Sequence, residues 1–506
     1  MKKIVCLFLA FLMLFSLVAC DGVPGVGNGD TNNTENVGDA NDTDKVGDTD
    51  LPAFTGKVEA EPYDGVFKVG YSRKDITPAV PINQNNGTVY SKVLDKLYAT
   101  CVAVNDGENT ALMFTIDTKG LGYAPYMSIV KRISSATKIP EENIMISASH
   151  SHTAPMPGVP ASDPKNIRWV AQITTAMVDA AKEAVADLAD AEIHVGTTTV
   201  KGMAFVRRWI NEDGTPGGIW RQPTTSKAAK YESEADNSVQ IIRFVRPDEE
   251  KKDVVITNLQ THFTEAGNYV KNSISADLAD ILRSLVELQD EDALFAVYVG
   301  ASGNIATTAH VDGTKKFGNY QKMGKAVVEA VLATELTKVE AGKIQTTVEN
   351  VTVNIRKDDA ETLAKAQKAE AEIKALNLYD GDAQVVAVAA KYGFEGAKEV
   401  NSIISRNTNY SATRDHRLGV ISFGDIAFTA VPYEMFDTNG IELKEGSPYN
   451  MTFVLTNAGG AGAYVPSALA VPNGGYEVYT AVDEFGTGER IVGEFLKVLY
   501  EHKGIK

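Results

Sequence analysis

From residue 58 onward, short runs of β-branched and aromatic residues alternate with longer stretches of helical spacing, and few architectures accommodate such a pattern. Residues 112–116, 144–146, 254–259, 294–299, 419–423 and 426–431 read as buried strands. Residues 125–136, 167–189, 276–288, 317–337 and 358–375 read as helices. The alternation predicts an α/β fold, with mixed sheet layers covered by helices, and not a sandwich. No Pro/Gly-rich linker interrupts residues 60–506, so residues 61–506 are expected to form one unit with a helical elaboration around 357–406.

The first sixty residues stand outside that pattern. Met1-Lys2-Lys3 followed by an apolar run over 4–18 has the form of an export signal, too short for a comfortable membrane span. It closes on Leu17-Val18-Ala19-Cys20, which resembles the bacterial lipobox. Residues 1–20 are therefore expected to be a lipoprotein signal peptide. Acylated Cys20 would then hold the protein to the membrane, at the bacterial cell surface or in the periplasm, since two or more acyl chains anchor stably. Residues 21–60 read as a disordered acidic tether of Gly, Asn, Asp and Thr, because such a composition buries too little surface to offset its ordering entropy. Cys101 is the one remaining thiol, so no internal disulfide is expected. A formal charge of −17 argues against nucleic acid as a partner, because duplex binding is driven by Lys and Arg neutralising phosphates. No protein partner is predicted.

Candidate chemistry gathers where the strands end. Residues 143–149 run into His150-Ser151-His152-Thr153-Ala154-Pro155. In extended chain, residues two apart face the same way, so both imidazoles face one pocket. A lone strand histidine is more often a core residue, but two at this spacing in a chain with seven histidines favour a metal site. The run 254–259 leads through Gln260-Thr261 to His262, and 426–431 leads through Pro432-Tyr433 to Glu434. Taken singly, His262 is evenly balanced between site and core, and Glu434 reads as an exposed loop residue. Together the three strand ends fit the rule that α/β sheets gather ligands beyond the carboxyl ends of their strands. Imidazoles with a carboxylate suit zinc, leaving one position for a water whose pKa falls to about 7, and metal-assisted hydrolysis is the expected chemistry.

The same residues carry a family resemblance. Gly70-Tyr71-Ser72-Arg73-Lys74-Asp75-Ile76-Thr77-Pro78, Ser147 to Pro155, Ile274-Ser275-Ala276-Asp277 and Val431-Pro432-Tyr433-Glu434 follow one another along the chain. Leu455-Thr456-Asn457 with Tyr464, then Tyr476-Glu477, complete the series. In this order, over roughly residues 66–480, they resemble the catalytic domain of the neutral/alkaline non-lysosomal ceramidases, zinc-dependent amidases that split ceramide into sphingosine and fatty acid. The resemblance implies zinc as cofactor, held by His150, His262, Glu434 and Tyr464. It implies that His152 moves a proton at the reacting amide and that Tyr476 holds or polarises the scissile carbonyl. It also places an arginine near the site at the Arg207-Arg208 pair, with Arg207 preferred.

Two departures bear on the substrate. Where the ceramidases carry a serine in a Gly-Asn/Asp-x-Ser-Pro loop, residues 303–307 offer Ala306, with Thr307 and Thr308 as adjacent hydroxyls. The C-terminal β-rich domain of the family is expected to be missing, since this chain ends at Lys506. The implied substrate is ceramide, a related N-acyl lipid or a small amide. The alternatives are hydrolysis of a different amide or ester, and a non-catalytic surface lipoprotein that binds a lipid or glycan on the same scaffold.

The remaining polar residues have plainer readings. Arg414-Asp415-His416-Arg417 is expected to be a solvated loop, and His194 and His502 are expected at the surface. His310 is balanced between pocket and surface. Asp117 is a candidate to orient a metal-bound imidazole or to cap a turn, and Asp277 a candidate N-cap.

Overall fold

The computed structural model describes residues 56–505 apart from 85–87, 220–225, 269, 315 and 461. The signal peptide, Cys20 and nearly all of the tether lie outside the described residues. The expected strands and helices are present in one mixed α/β body.

The chain repeats one arrangement three times. Three antiparallel strands are followed by a helix, a fourth strand parallel to the third, and a second helix. The first copy uses strands Lys68–Asp75, Tyr98–Asn105 and Thr110–Ile116, helix Tyr123–Thr137, strand Ile144–Ala148 and helix Pro164–Ala186. The second uses Glu192–Thr199, Ser238–Val245 and Asp253–Leu259, helix Leu278–Gln289, strand Ala293–Val299 and helix Tyr320–Ala333. The third uses Gln345–Asn354, Thr413–Phe423 and Ile426–Ala430, helix Asp437–Gly446, strand Met451–Leu455 and helix Thr487–His502.

Strand periodicity explains how the three sheets pack. Alternate residues of each strand face opposite ways. One set, including Met113, Ile256 and Phe428, joins a central cluster shared by all three sheets. The other set meets the helices: Leu112 and Phe114 against Ile129 and Trp169, and Val420 and Val454 against Leu443 and Phe495. Hydrogen bonds stitch the sheets together, from the Tyr298 hydroxyl to the Met113 carbonyl at 3.1 Å and from Asn258 Nδ2 to the Val454 carbonyl at 3.2 Å. The result is that the parallel strand pairs of all three copies end near one another.

Side-chain caps set several helix bounds inside the sequence-based ones. Asn319 accepts from the Lys322 amide, so that helix begins at Tyr320 and not at 317. The 167–189 helix ends at Ala186, because Asp187 turns to Arg246, Lys251 and the Tyr71 amide. Asp277 caps its helix as expected, accepting from the Leu278 amide. The 357–406 elaboration is three helices, Ala360–Leu376, Ala383–Lys391 and Ala397–Thr408, around a small core of Ala366, Ala369, Phe394, Val400 and Ile403.

Two expectations of exposure are corrected. Residues 414–417 belong to the Thr413–Phe423 strand, paired with Gln345–Asn354, and Arg414 and His416 turn inward to buried Asp483. His502 is held between Thr347 Oγ1 and Ser422 Oγ at 2.8 Å each. Burial pushes its pKa down to about 4, below the ordinary value near 6.5. The unfolded chain therefore takes up this proton first, and stability is expected to fall as pH drops from about 6.5 to about 4. His502→Gln should flatten that part of the curve; urea midpoints at pH 4.5 and 7.5 that shift equally in both proteins would count against it. No helix among the described residues is long and apolar enough to cross a membrane.

Candidate metal centre

The site is assembled from loops that leave the parallel strands. His150 and His152 follow Ile144–Ala148, His262 follows Asp253–Leu259, and Glu434 follows Ile426–Ala430. Each of the three repeats therefore supplies at least one group. Backbone bonds hold the loops in register: the His152 amide donates to the Phe263 carbonyl at 2.9 Å, and Ser151 Oγ donates to the Ser275 carbonyl at 2.9 Å. His150 sits at φ 56°, a left-handed conformation that costs a non-glycine residue about 1–3 kcal/mol and aims its ring inward.

Hydrogen bonding fixes the tautomers. His150 Nδ1 lies 2.7 Å from the Lys119 carbonyl and His262 Nδ1 lies 3.1 Å from the Ser302 carbonyl, so each Nδ1 carries the proton and each Nε2 is left with a lone pair. Those Nε2 atoms meet His152, whose own Nε2 is 3.2 Å from that of His150 and 2.9 Å from that of His262. Glu434 Oε2 stands 3.3 Å from His150 Nε2. Among the described residues the buried Oε2 has no hydrogen-bond partner.

Charge and burial support the same picture. Burial, with Lys119 and the neighbouring rings, holds the His152 pKa well below its ordinary value. Burial, with His150 and Arg207, does the same to His262. Burial pushes Glu434 up, but His150, His262 and Arg207 outweigh it and bring its pKa to about 2. Neutral imidazoles and an ionised carboxylate are the protonation states that metal ligation requires. Tetrahedral ligands at 2.0–2.1 Å lie about 3.3 Å apart, close to the separations seen here, and the orphaned Glu434 Oε2 gains a partner. The residues present fit a divalent cation.

Tyr464 reaches the same place by pairing. The two-residue strands Glu434–Met435 and Tyr464–Val465 run parallel, with Glu434 opposite Tyr464. Burial and the Glu434 charge push the Tyr464 pKa well above its ordinary value, so without an ion its hydroxyl keeps its proton. Gly303 lets the chain cross this pair closely, because a Cβ there would sit 2.4 Å from the Glu434 carbonyl oxygen. The arginines separate: Arg207 lies 5.4 Å over the Tyr464 ring, whereas Arg208 lies 5.8 Å over Phe436 and pairs with Glu232 at 2.6 Å. Arg207 is held by the Gly303 carbonyl and by Glu477, each at 2.7 Å. Tyr476 stands 5.6 Å from Tyr464 between ring centres and lines an open cleft that reaches His150 and Glu434.

Other residues fall away from the site. Asp117 pairs with Arg283 at 2.7 Å and accepts from the Tyr98 amide, so it orients no imidazole. His310 stacks on Trp209 at 4.8 Å. Ala306 lies in a short strand opposite Phe205, and Thr307 Oγ1 donates to Glu265. Sequence reasoning missed Glu477, which was visible only as part of a motif, and the Lys119 and Ser302 carbonyls, for which no side-chain signal exists.

A family model described as neutral/alkaline non-lysosomal ceramidase, N-terminal, matches residues 67–367. The chain belongs to the neutral/alkaline non-lysosomal ceramidase family. Among solved structures it is similar to the neutral ceramidase from Pseudomonas aeruginosa, with a TM-score of 0.63 and 13% identity, covering 87% of this chain and 75% of that one. A ceramidase complexed with C2 matches at a TM-score of 0.62 and 13% identity, over 87% of this chain and 76% of that one. No protein with a curated description matches. At this identity the structural likeness speaks for the fold.

Proposed function

We propose that this ceramidase-family hydrolase is a zinc-dependent amidohydrolase that cleaves the amide bond of ceramide or a related N-acyl compound. The observation that carries the reading is the meeting of three imidazole Nε2 atoms with a buried carboxylate oxygen that has no hydrogen-bond partner among the described residues. His150, His262, Glu434 and Tyr464 would hold the ion. When bound, zinc supplies Lewis acidity and a water acidic enough to react near neutral pH.

The remaining roles belong to this chain's own residues. Water adds to the carbonyl carbon, the C–N bond breaks, and a fatty acid and an amine result. His152, neutral in its buried setting, takes a proton at Nε2 from the attacking water and passes it to the departing nitrogen, ending neutral again. Arg207 cannot swing away from Tyr464 while Glu477 and the Gly303 carbonyl hold it, and its fixed charge favours the oxygen on which negative charge develops. The Tyr476 hydroxyl serves the same oxygen from the cleft side. Ala306 favours a substrate other than ceramide within this chemistry, since the nearest hydroxyl, Thr307, is engaged by Glu265.

The purified protein is expected to carry one zinc per chain and to release fatty acid from an N-acyl substrate. A chelator should abolish release and added zinc restore it, measured by metal analysis and by chromatography of the products. Release that survives complete metal removal would refute the reading.

A further inference from the structure

The cleft beside the metal centre has one wall made by the inserted helix Ala397–Thr408. That helix divides sharply. Val400 and Ile403 face the core of the insertion, and Asn401, Ser402 and Ser405 face the cleft. Asn401 and Ser402 are half-buried, and among the described residues neither side chain has a hydrogen-bond partner. Asn401 and Ser402 line the same cavity as His150 and Glu434, with the aromatic side chains of Tyr410 and Tyr476 also in its lining.

An alkyl chain laid along this wall would strip water from both groups and return nothing, which is the costly way to bury a polar atom. A ring carrying hydroxyls would satisfy them and rest its apolar face on an aromatic side chain. We propose that Asn401 and Ser402 form a subsite for the amine half of the substrate, and that the chain prefers N-acylated polyhydroxylated amines of the amino-sugar kind to N-acylated long-chain bases. This rests on the amidohydrolase reading and names its substrate class. A long-chain base carries hydroxyls only beside the amide, whereas a sugar ring carries them along its whole edge.

The test compares two substrates with the same acyl group, N-octanoylglucosamine and N-octanoylsphingosine, using zinc-loaded enzyme. The sugar amide is expected to be cleaved with the higher kcat/KM. Asn401→Leu should raise its KM roughly tenfold, with kcat and zinc content unchanged, as expected for loss of a binding contact. Ser402→Ala should do so more weakly. Independently of turnover, calorimetry should show glucosamine binding to metal-free wild type and weaker binding to Asn401→Leu. Preference for the sphingosine amide, or a KM for the sugar amide unmoved by both substitutions, would overturn this inference and leave the hydrolase reading standing. Zinc-loaded enzyme that cleaves neither amide would overturn both.

Discussion

His150→Ala and His262→Ala are each expected to lose zinc, with affinity falling by more than the 10–100-fold typical of outer partners, and to lose turnover with it. His152→Ala is expected to keep much of the metal and to lose about 10²–10⁴-fold in rate, the usual worth of a positioned proton donor. The separation rests on hydrogen bonding. His150 and His262 have their Nδ1 atoms tied to the Lys119 and Ser302 carbonyls, which orients both lone pairs inward. Yet His152 Nε2 lies as near to these two as they would lie in a shared ligand set. Metal analysis of the three variants, alongside their rates, therefore decides the division of roles. Equal loss of zinc in all three would make His152 a ligand and leave the proton transfer to another group.

The largest effect on stability is expected from Glu477→Ala. This carboxylate accepts from Arg207 at 2.7 Å and from Arg208 at 3.1 Å, and all three side chains are buried. Removing it leaves two guanidinium groups short of a counter-charge in a dry place, at a cost of about 3–5 kcal/mol. Arg208 keeps Glu232, so most of the loss falls on Arg207. Glu477→Gln preserves the shape and one acceptor, and should destabilise less while lowering the rate through Arg207 without loss of zinc. Urea unfolding of the two variants against wild type checks this; a change below about 1 kcal/mol in Glu477→Ala would show that the pair contributes little.

Much of the strand and helix content was legible because burial on both faces of a strand leaves a compact signature. Five of the six apolar runs lie within strands and the sixth overruns its strand by Val431 alone, and the three that lead to His150, His262 and Glu434 do meet at one place. The strands that escaped notice are of two kinds: Tyr98–Asn105, Ser238–Val245 and Met451–Leu455 are largely buried but carry Thr, Asn, Gln or Arg among their apolar residues, and others are partly exposed. The Glu192–Thr199 and Gln345–Asn354 strands mix exposed and buried residues, so no continuous apolar run marks them. His416 and His502 were placed at the surface because charged neighbours dominate their local sequence, whereas buried partners come from distant elements.

By itself, the sequence determined six of the strands, five of the helices and which side chains with metal-binding chemistry stand at the strand ends, because strand and helix periodicity act over a few residues. Only the tertiary structure decided that the body is one arrangement repeated three times, for the repeats share topology and not a recognisable residue pattern. It alone decided that Arg207 and not Arg208 lies over Tyr464, that Glu477 holds both, and that the inserted helix presents its polar face to the cleft. These are contacts between residues tens to hundreds of positions apart, and no local propensity encodes them; they arise when three sheets bury their inner faces against one another and bring their strand ends together.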